Sequence, residues 1–543
     1  MIAGVQVKID GQELAPEVAA QLLEVRIDDH LVLPDTFLIR VADPGLELVD
    51  AIDLEIGTEV ELLFGSPEDN RLVSLLKGQI ASVQPEFTRS GATITARGYD
   101  HSHALNRTKR SETYQNMTVG DIARRVASRA GMRPGTIDDA GGPQDFVQQN
   151  NETDWEFLWR LAQRVGNEVL VVDRTLHFRR AGGGADRPVT LRWGETLHEL
   201  RPRLTGVQQV EEVVVRGWDA ASKRVIEATA RPDRLMASIG VERDSVVRAL
   251  EGGSLTIADR PVATQQEADA LARSVATRLA NGFVEAEGVC EGDPRVTAGC
   301  RIAVEGVGRR FGGTYTVSAT RHVFRGGRGY QTHFTVSGQA ERSLVELLTP
   351  ARRRGWGNSV VIGVVTNNED PEGMGRVRVK YPELGDTEGY WARIASAGAG
   401  KDKGLLMTPV VGDEVVIGFE HDDVRRPYVL GAVWNGTEKP GELAQPDGSF
   451  ALRSEKKMTV TVKEEITFTG DKELVFEIGQ AKVTCKKDGT VRIEGKDITL
   501  TASNSISLEA PQGAIAVKAG VRGLTLSSAG GTVSVSGTQI SLG

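Results

Sequence analysis

Histidines and carboxylates at short spacing are where chemistry would sit in this chain. His101-Ser-His103 would place two imidazoles on one side of a strand, half of a metal site. Arg107, Lys109 and Arg110 crowd the same stretch and oppose a cation, so the two histidines read as surface or turn residues. Glu369-Asp370 and Asp422-Asp423 are carboxylate pairs, and glycoside hydrolysis needs such pairs. Each falls in a turn-like segment, where adjacent carboxylates are expected to be solvated. Gly182-Gly-Gly184 does not lead from a strand into a helix and lacks a following Lys-Ser/Thr, so it reads as no phosphate cradle. Neither Gly-x-Ser-x-Gly nor His-Glu-x-x-His occurs. The sequence therefore predicts no catalytic residue, no metal ligand and no cofactor.

Composition narrows the class further. The chain has 543 residues, a net charge of −9 and no basic stripe, which excludes nucleic acid as a partner. Three cysteines are too few for a disulfide framework. Cys290 and Cys300 flank a Gly-Asp-Pro turn and could face each other across a hairpin; buried free thiols fit a reducing cytoplasm. The N-terminus lacks the apolar stretch of a secretory signal, and no run approaches the ~20 apolar residues of a membrane helix. The expectation is a protein made in the cytoplasm without a signal peptide.

The elements around these residues are mostly strands. Val5–Ile9, Leu23–Ile27, Thr36–Val41, Glu59–Phe64, Gly78–Ile80 and Ala92–Ala96 alternate or run apolar. Three helices start at threonines: one at Thr118 with Asp121 and ending at Gly131, one at Thr153-Asp-Trp-Glu156 and stopping at Gly166, and one at Thr264-Gln-Gln-Glu267. Strands return at Glu168–Val172, Val207–Arg216, Arg301–Val304, Thr314–Val317 and Thr332–Val336. Thr349–Gly355, with its run Arg352–Arg354, reads as a boundary linker or subunit contact. Residues 357–440 read as a small five-stranded barrel of the oligonucleotide/oligosaccharide-binding (OB) type. Its aromatics, Trp391, Phe419, Tyr428 and Trp434, are scattered, so it is an adapter rather than a base-stacking surface.

The last hundred residues repeat one pattern. Two apolar residues flank one intervening residue, and the pair returns every seven to nine positions: Met458/Val460, Ile466/Phe468, Leu474/Phe476, Val483/Cys485, Val491/Ile493, Ile498/Leu500, Ile506/Leu508, Ile515/Val517, Leu524/Leu526, Val533/Val535 and Ile540/Leu542. Each unit is too thin to enclose a core alone, so the unit must stack on copies of itself. Three chains wound together would form a triangular prism with these pairs at its axis. Strand spacing of about 4.8 Å over ten steps gives a rod of roughly 50 Å. Residues 451–497 hold nineteen charged side chains and residues 498–543 only three, with thirteen Ser or Thr. A stiff needle with an uncharged far end suits mechanical work. The competing class is a secreted β-helix enzyme acting on polysaccharide, but the distal half offers one carboxylate, Glu509.

Four stretches carry a family resemblance: Gly375-Arg-Val-Arg-Val-Lys-Tyr-Pro382, Trp391-Ala-Arg-Ile394, Gly412-Asp-Glu-Val-Val-Ile-Gly-Phe-Glu420 and Arg426-Pro-Tyr-Val-Leu-Gly431. They resemble the barrel of VgrG-type spike proteins. Gly98–His103, Asn116–Ile122, Asp154–Leu158 and Gly312–Val317 resemble the hub of the same family, which is related to phage baseplate hubs. The resemblance implies a mainly β fold: a first hub β-barrel at 1–105, a helix-containing hub insertion at 106–190, a second hub β-barrel at 191–350, the OB-fold adapter at 357–440 and a triple-stranded β-helix spike at 446–543. It implies a homotrimer at the tip of a contractile injection machine, with inner tube and baseplate proteins as partners at the hub. The membrane is met only by puncture.

Some features depart from relatives. Only Gly441–Phe450 separates barrel and needle, too short for the hydrolase some phage spikes carry. Nothing of toxin size follows the repeat, and the last histidine is His421, so a histidine-bound iron at the tip is not expected. These departures point to an extracellular phage-tail-like particle, with a type VI secretion spike or a phage or tailocin baseplate spike as alternatives. The end Gln539, Ile540, Ser541, Leu542 and Gly543 is expected to dock a cap or effector, which the resemblance identifies as a PAAR-type protein.

Overall fold

The apolar alternation of the first hundred residues becomes strands, but the sheet they join is larger than any one segment. In the computed structural model, residues 4–46, 54–65, 71–89, 91–140, 142–180, 187–219, 222–232, 235–337, 360–384, 388–444, 447–521 and 523–541 are described. An eleven-stranded sheet runs in the order Leu197–Leu204, Val284–Glu291, Gly329–Val336, Ala319–Arg325, Leu22–His30, Thr36–Ala42, Gly91–Asp100, Leu72–Thr88, Glu59–Gly65, Val5–Ile9, Gln12–Glu13. Strands from both ends of the first 337 residues meet at one seam, where Ala319–Arg325 lies antiparallel to Leu22–His30, with His322 opposite Ile27. No local pattern announces this pairing, because its partners stand nearly three hundred residues apart. One sheet thus passes through what the sequence reads as two separate barrels.

Separate apolar clusters lie along it. Val25, Ile27, Ile39, Leu62, Phe64 and Phe324 belong to the first, so the seam strand contributes across the sheet. Leu197, Cys290, Ile302, Tyr315 and Phe334 belong to the second. Cys290 and Cys300 are both free and buried there, and burial pushes each thiol up to about 12.

The three threonine-started helices form as the capping rules require. Thr118 Oγ1 accepts from the Asp121 amide at 3.0 Å. Thr153 and Glu156 close a full capping box, and Gly166 ends that helix at φ 76°, which glycine adopts without strain. Thr264 accepts from the Glu267 amide at 3.1 Å. The strand expected at Val207–Arg216 begins only at Glu212. Gln208 turns the chain with φ 64°, and the buried Gln209 amide donates to the Leu279 carbonyl at 2.8 Å.

Residues 361–432 form a five-stranded sheet in the order Arg378–Lys380, Val361–Asn367, Glu414–Phe419, Pro427–Ala432, Arg393–Ile394. Val365, Val379, Tyr381, Val415, Ile417 and Val429 fill its interior. The first 440 residues make one compact unit and Gly441–Gly543 a second.

In that second unit, Glu473–Ile478, Ala481–Lys486 and Val491–Glu494 pair as an antiparallel meander. From residue 495 to 541 the described residues carry no strand within the chain. The backbone bonds found there close turns, Gly513 N to Ala510 O and Gly523 N to Gly520 O, both at 3.3 Å. The expected needle core is correspondingly open. The first member of each pair, Ile498, Ile506, Ile515, Leu524, Val533 and Ile540, is 51–58% exposed. The second member, Leu500, Leu508, Val517, Leu526 and Val535, is 64–67% exposed. So regular an alternation means one repeated backbone conformation, and one chain alone supplies it neither a strand partner nor a core.

Candidate functional site

The side chains that sequence reasoning weighed for chemistry are not brought together. His101 and His103 sit on the 3₁₀ helix His101–Asn106, not on a strand. Asp100 starts that helix by accepting from Ser102 N at 3.2 Å, which bends the chain off its strand path. His101 Nε2 lies 3.5 Å from Glu59, while the His103 ring stacks on Tyr99 at 4.4 Å. Burial lowers both imidazole pKa values, and Arg107 adds to the effect at His103. Among the described residues, no group of three or more His, Cys, Asp or Glu is placed to hold a metal ion. Gly182–Gly184 and Arg352–Arg354 lie outside the described residues, as do Leu542 and Gly543.

The carboxylate pairs are corrected by the structure. Asp370 and Asp423 are not solvated; each is clamped by an arginine of its own turn. Asp370 receives Arg376 Nε at 3.1 Å and Nη2 at 2.7 Å, plus the amides of Glu372, Met374 and Arg376. Burial would raise this carboxyl, but those donors outweigh it and hold it at about 2. Asp423 receives Arg425 N at 3.0 Å, Nε at 3.1 Å and Nη2 at 2.8 Å. The same Asp-x-Arg clamp recurs at Asp293, which takes Arg295 N at 2.9 Å and Nη2 at 2.7 Å. An aspartate two residues before an arginine is the sequence signal at Asp423 and Asp293; at Asp370 the arginine stands six residues on.

Asp423 and Arg425 belong to a larger joint between the small barrel and the hub. The turn Glu420–Asp423, with His421 and Asp422 in left-handed conformations, aims Arg425 at the hub. Arg425 Nη1 donates to Glu267 Oε1 at 3.0 Å. Glu267 occupies the first turn of the helix Gln265–Asn281, and its other oxygen accepts the Ala263 amide at 2.8 Å. Arg164, in the last turn of the helix Asp154–Val165, bonds Glu267 and stands 3.8 Å from Asp423. Two cations and two carboxylates thus alternate in a partly dry space, with the Arg425 and Asp423 side chains 14% and 12% exposed. Arg426 adds a bond from Nη2 to the Val262 carbonyl at 3.0 Å. Phe146 of the hub packs on Tyr390 of the barrel at 5.3 Å.

Electrostatics show what this joint does. Burial alone would raise the Asp423 and Glu267 carboxyls, yet Arg425 and Arg164 hold both below the ordinary carboxylate range. Burial works against the Arg425 cation, yet Asp423 and Glu267 raise it. Burial, with the Arg425 charge beside it, lowers Arg164 to about 10. A general acid needs a raised carboxyl pKa, and these are lowered. The adjoining cleft, about 280 Å³, is lined by Phe146, Glu267, Tyr390, Trp391, Arg425 and Tyr428. Its polar ends are used internally: Tyr428 Oη donates to Glu420 at 3.0 Å and accepts from Arg393 at 3.2 Å. The Arg376 and Arg378 guanidinium groups stand 5.7 and 5.6 Å from the Trp391 ring. The arrangement fastens two bodies together.

Comparison with known proteins agrees with the motifs. Residues 2–325 match the model described as the Alg8 N-terminal domain. Residues 361–434 match the type VI secretion system/phage-baseplate injector OB domain. The type VI secretion system spike protein VgrG1a of Pseudomonas aeruginosa is 24% identical over 442 residues, covering 74% of this chain and 65% of that protein. The probable baseplate hub protein of Escherichia phage P2 is 34% identical over 180 residues, 32% of this chain and 45% of the relative. VgrG1c of P. aeruginosa is 32% identical over 113 residues, only 15% of its own length. A solved chain of the lidded Francisella PdpA–VgrG complex superposes with a TM-score of 0.50 at 9% identity, covering 91% of this chain and 80% of that one. The mainly β fold and the resemblance to VgrG-type spikes, expected from the motifs, are what these comparisons show.

Proposed function

This chain belongs to the family of the Alg8 N-terminal domain, and on that footing we propose that it is the structural spike and hub of a contractile injection machine. Three copies join at the tip of the inner tube, and their C-terminal segments wind into one needle. The observation that carries this reading is the open strip of the second unit. Its apolar pairs from Ile498/Leu500 to Val533/Val535 are exposed, and among the described residues its backbone from residue 495 on has no strand partner. Contiguous apolar surface of this extent marks an interaction site. Moving each Ile or Leu from water to a dry axis contributes about 1.5–3 kcal/mol. The injector OB domain at 361–434 and the hub relatives support the place of the assembly.

Within that reading, the joint of Arg164, Glu267, Asp423 and Arg425 carries thrust from hub to barrel. The hub meets the inner tube and baseplate proteins, and the needle punctures the target envelope. The uncharged end at Gln539–Gly543 docks a small cap protein of the PAAR type. The short connection Gly441–Phe450 supports an extracellular phage-tail-like particle as the class of machine. Electron microscopy of purified particles, with this subunit located by a specific antibody, tests the reading. Three copies at the tube tip are expected. A subunit found on the sheath, or absent from particles, overturns it.

A further inference from the structure

The segment 473–494 differs from the rest of the needle, because it is the part that finds strand partners inside one chain. Its register puts Leu474 opposite Cys485 and Phe476 opposite Val483; Val483 in turn faces Ile493, and Cys485 faces Val491. Directly paired residues share a sheet face, so these six apolar side chains make one face. The other face carries Glu473, Glu477, Lys482, Lys486, Arg492 and Glu494 around a central Val475 and Thr484. On that face Lys482 pairs with Glu477 at 3.0 Å and Arg492 with Glu494 at 2.6 Å. The apolar face is not complete, since Phe476, Val491 and Ile493 are 53%, 64% and 56% exposed. A three-stranded amphipathic sheet is near the smallest that holds together once its apolar face is covered.

We propose that residues 473–494 are the initiation module of the needle: each chain preforms this meander, three apolar faces join, and the repeats beyond residue 495 then zip toward the C-terminus. The inference rests on the three-chain reading above and adds an order of assembly to it. The occupant of the apolar face is two further copies of the same face. The pairs Val483/Cys485 and Val491/Ile493 continue at unbroken spacing into Ile498/Leu500, so the face is continuous with the strip proposed to meet the other chains. A folded module removes most of the ordering cost from the first encounter, because its backbone is already fixed. A bare repeat would have to fix its backbone and find two partners at once.

The full-length chain tests this through two substitutions and one natural probe. Ile493→Asp, on the module face, is expected to abolish the trimer in sedimentation while the hub unit melts as in the parent. Leu526→Asp, in a distal repeat, is expected to leave the trimer and open only the distal needle. Ile493→Val is expected to restore it. Cys485 reports the same face during assembly from denaturant when its label is read on its own peptide, apart from Cys290 and Cys300. Pulsed alkylation should show Cys485 protected before a cysteine introduced as Val535→Cys. If Leu526→Asp abolishes the trimer and Ile493→Asp does not, or if the distal cysteine is protected first or simultaneously, the module is not the seed. If Cys485 is protected in a chain that sediments as a monomer, its own chain covers the face and the proposal fails. If the parent itself sediments as one copy with Cys485 open, it is the three-chain reading that fails.

Discussion

Arg425 of the barrel donates to Glu267 of the hub at 3.0 Å while clasping Asp423 of its own turn at 2.8 Å. One guanidinium therefore spans the two bodies, and Arg164 completes an alternating set of four charges. Buried ion pairs seldom add net stability over apolar replacements, but removing one partner strands the others. Their worth lies in fixing one orientation of the barrel on the hub.

The first prediction follows from that geometry. Glu267→Gln leaves two guanidinium groups against one carboxylate and should destabilise residues 1–440 by about 3–5 kcal/mol. Glu420→Gln, which loses only the Tyr428 bond, should cost about 1 kcal/mol. Thermal melts of the two variants check this. Equal melting points would mean that the joint contributes no rigidity.

A second prediction concerns pH at the hub seam. Asp29 accepts Ala298 N at 2.7 Å and Thr320 Oγ1 at 3.2 Å, and Asp35 accepts the His30 amide at 3.0 Å. Burial raises both carboxyls and takes Asp100 to about 6, with the three charges reinforcing one another in part. A folded pKa above the unfolded one gives stability that is complete below the unfolded value and fades as pH rises through the folded value. The Asp100 contribution should therefore be lost as pH rises through about 6. Asp370 and Asp423 have the opposite sign, and their contribution is lost only in strong acid. Asp100→Asn should flatten the loss of stability as pH rises through about 6, in melts followed across that range. An unchanged pH profile would remove the seam carboxyls from the account.

Facing in the needle gives a third. Leu508 lies on the strip and Thr499 between two of its members. Leu508→Asp would place three carboxylates in one dry layer and should cost several kcal/mol per trimer unless they take up protons. Thr499→Asp should change stability by about 0.5 kcal/mol or less per chain. Needle melting in the two variants separates them; identical melts would mean the register is misassigned.

The fourth addresses the cap. Deleting Thr538–Gly543 should abolish co-purification of a cap protein while leaving the trimer and hub intact. A deletion that changes no bound partner would end the docking idea.

How much of this was legible follows the range of the interactions. The helices were readable because Thr118, Thr153 and Thr264 cap them within four residues. The repeat was readable because its apolar pairs are local. The antiparallel pair of Lys109–Met117 with Gln144–Thr153 gave no alternation, since Gln148 and Gln149 are buried polar residues; Gln149 bonds Asp154 at 2.9 Å. The seam with Leu22–His30 and the four-charge joint depend on partners 103 to several hundred residues away, as Arg164 reaching Glu267 illustrates. The expectation that Asp423 is solvated failed for the same reason: its turn and the helices of Arg164 and Glu267 were visible, but their contact was not.

The central claim is that the open strip of residues 495–541 is closed by two further copies of the chain. Sedimentation equilibrium of the full-length protein tests it most directly. A single species of three chains, with Ile506, Ile515 and Leu524 amides protected from hydrogen exchange, is the predicted result. A stable, soluble monomer whose amides in that segment exchange at once would contradict it.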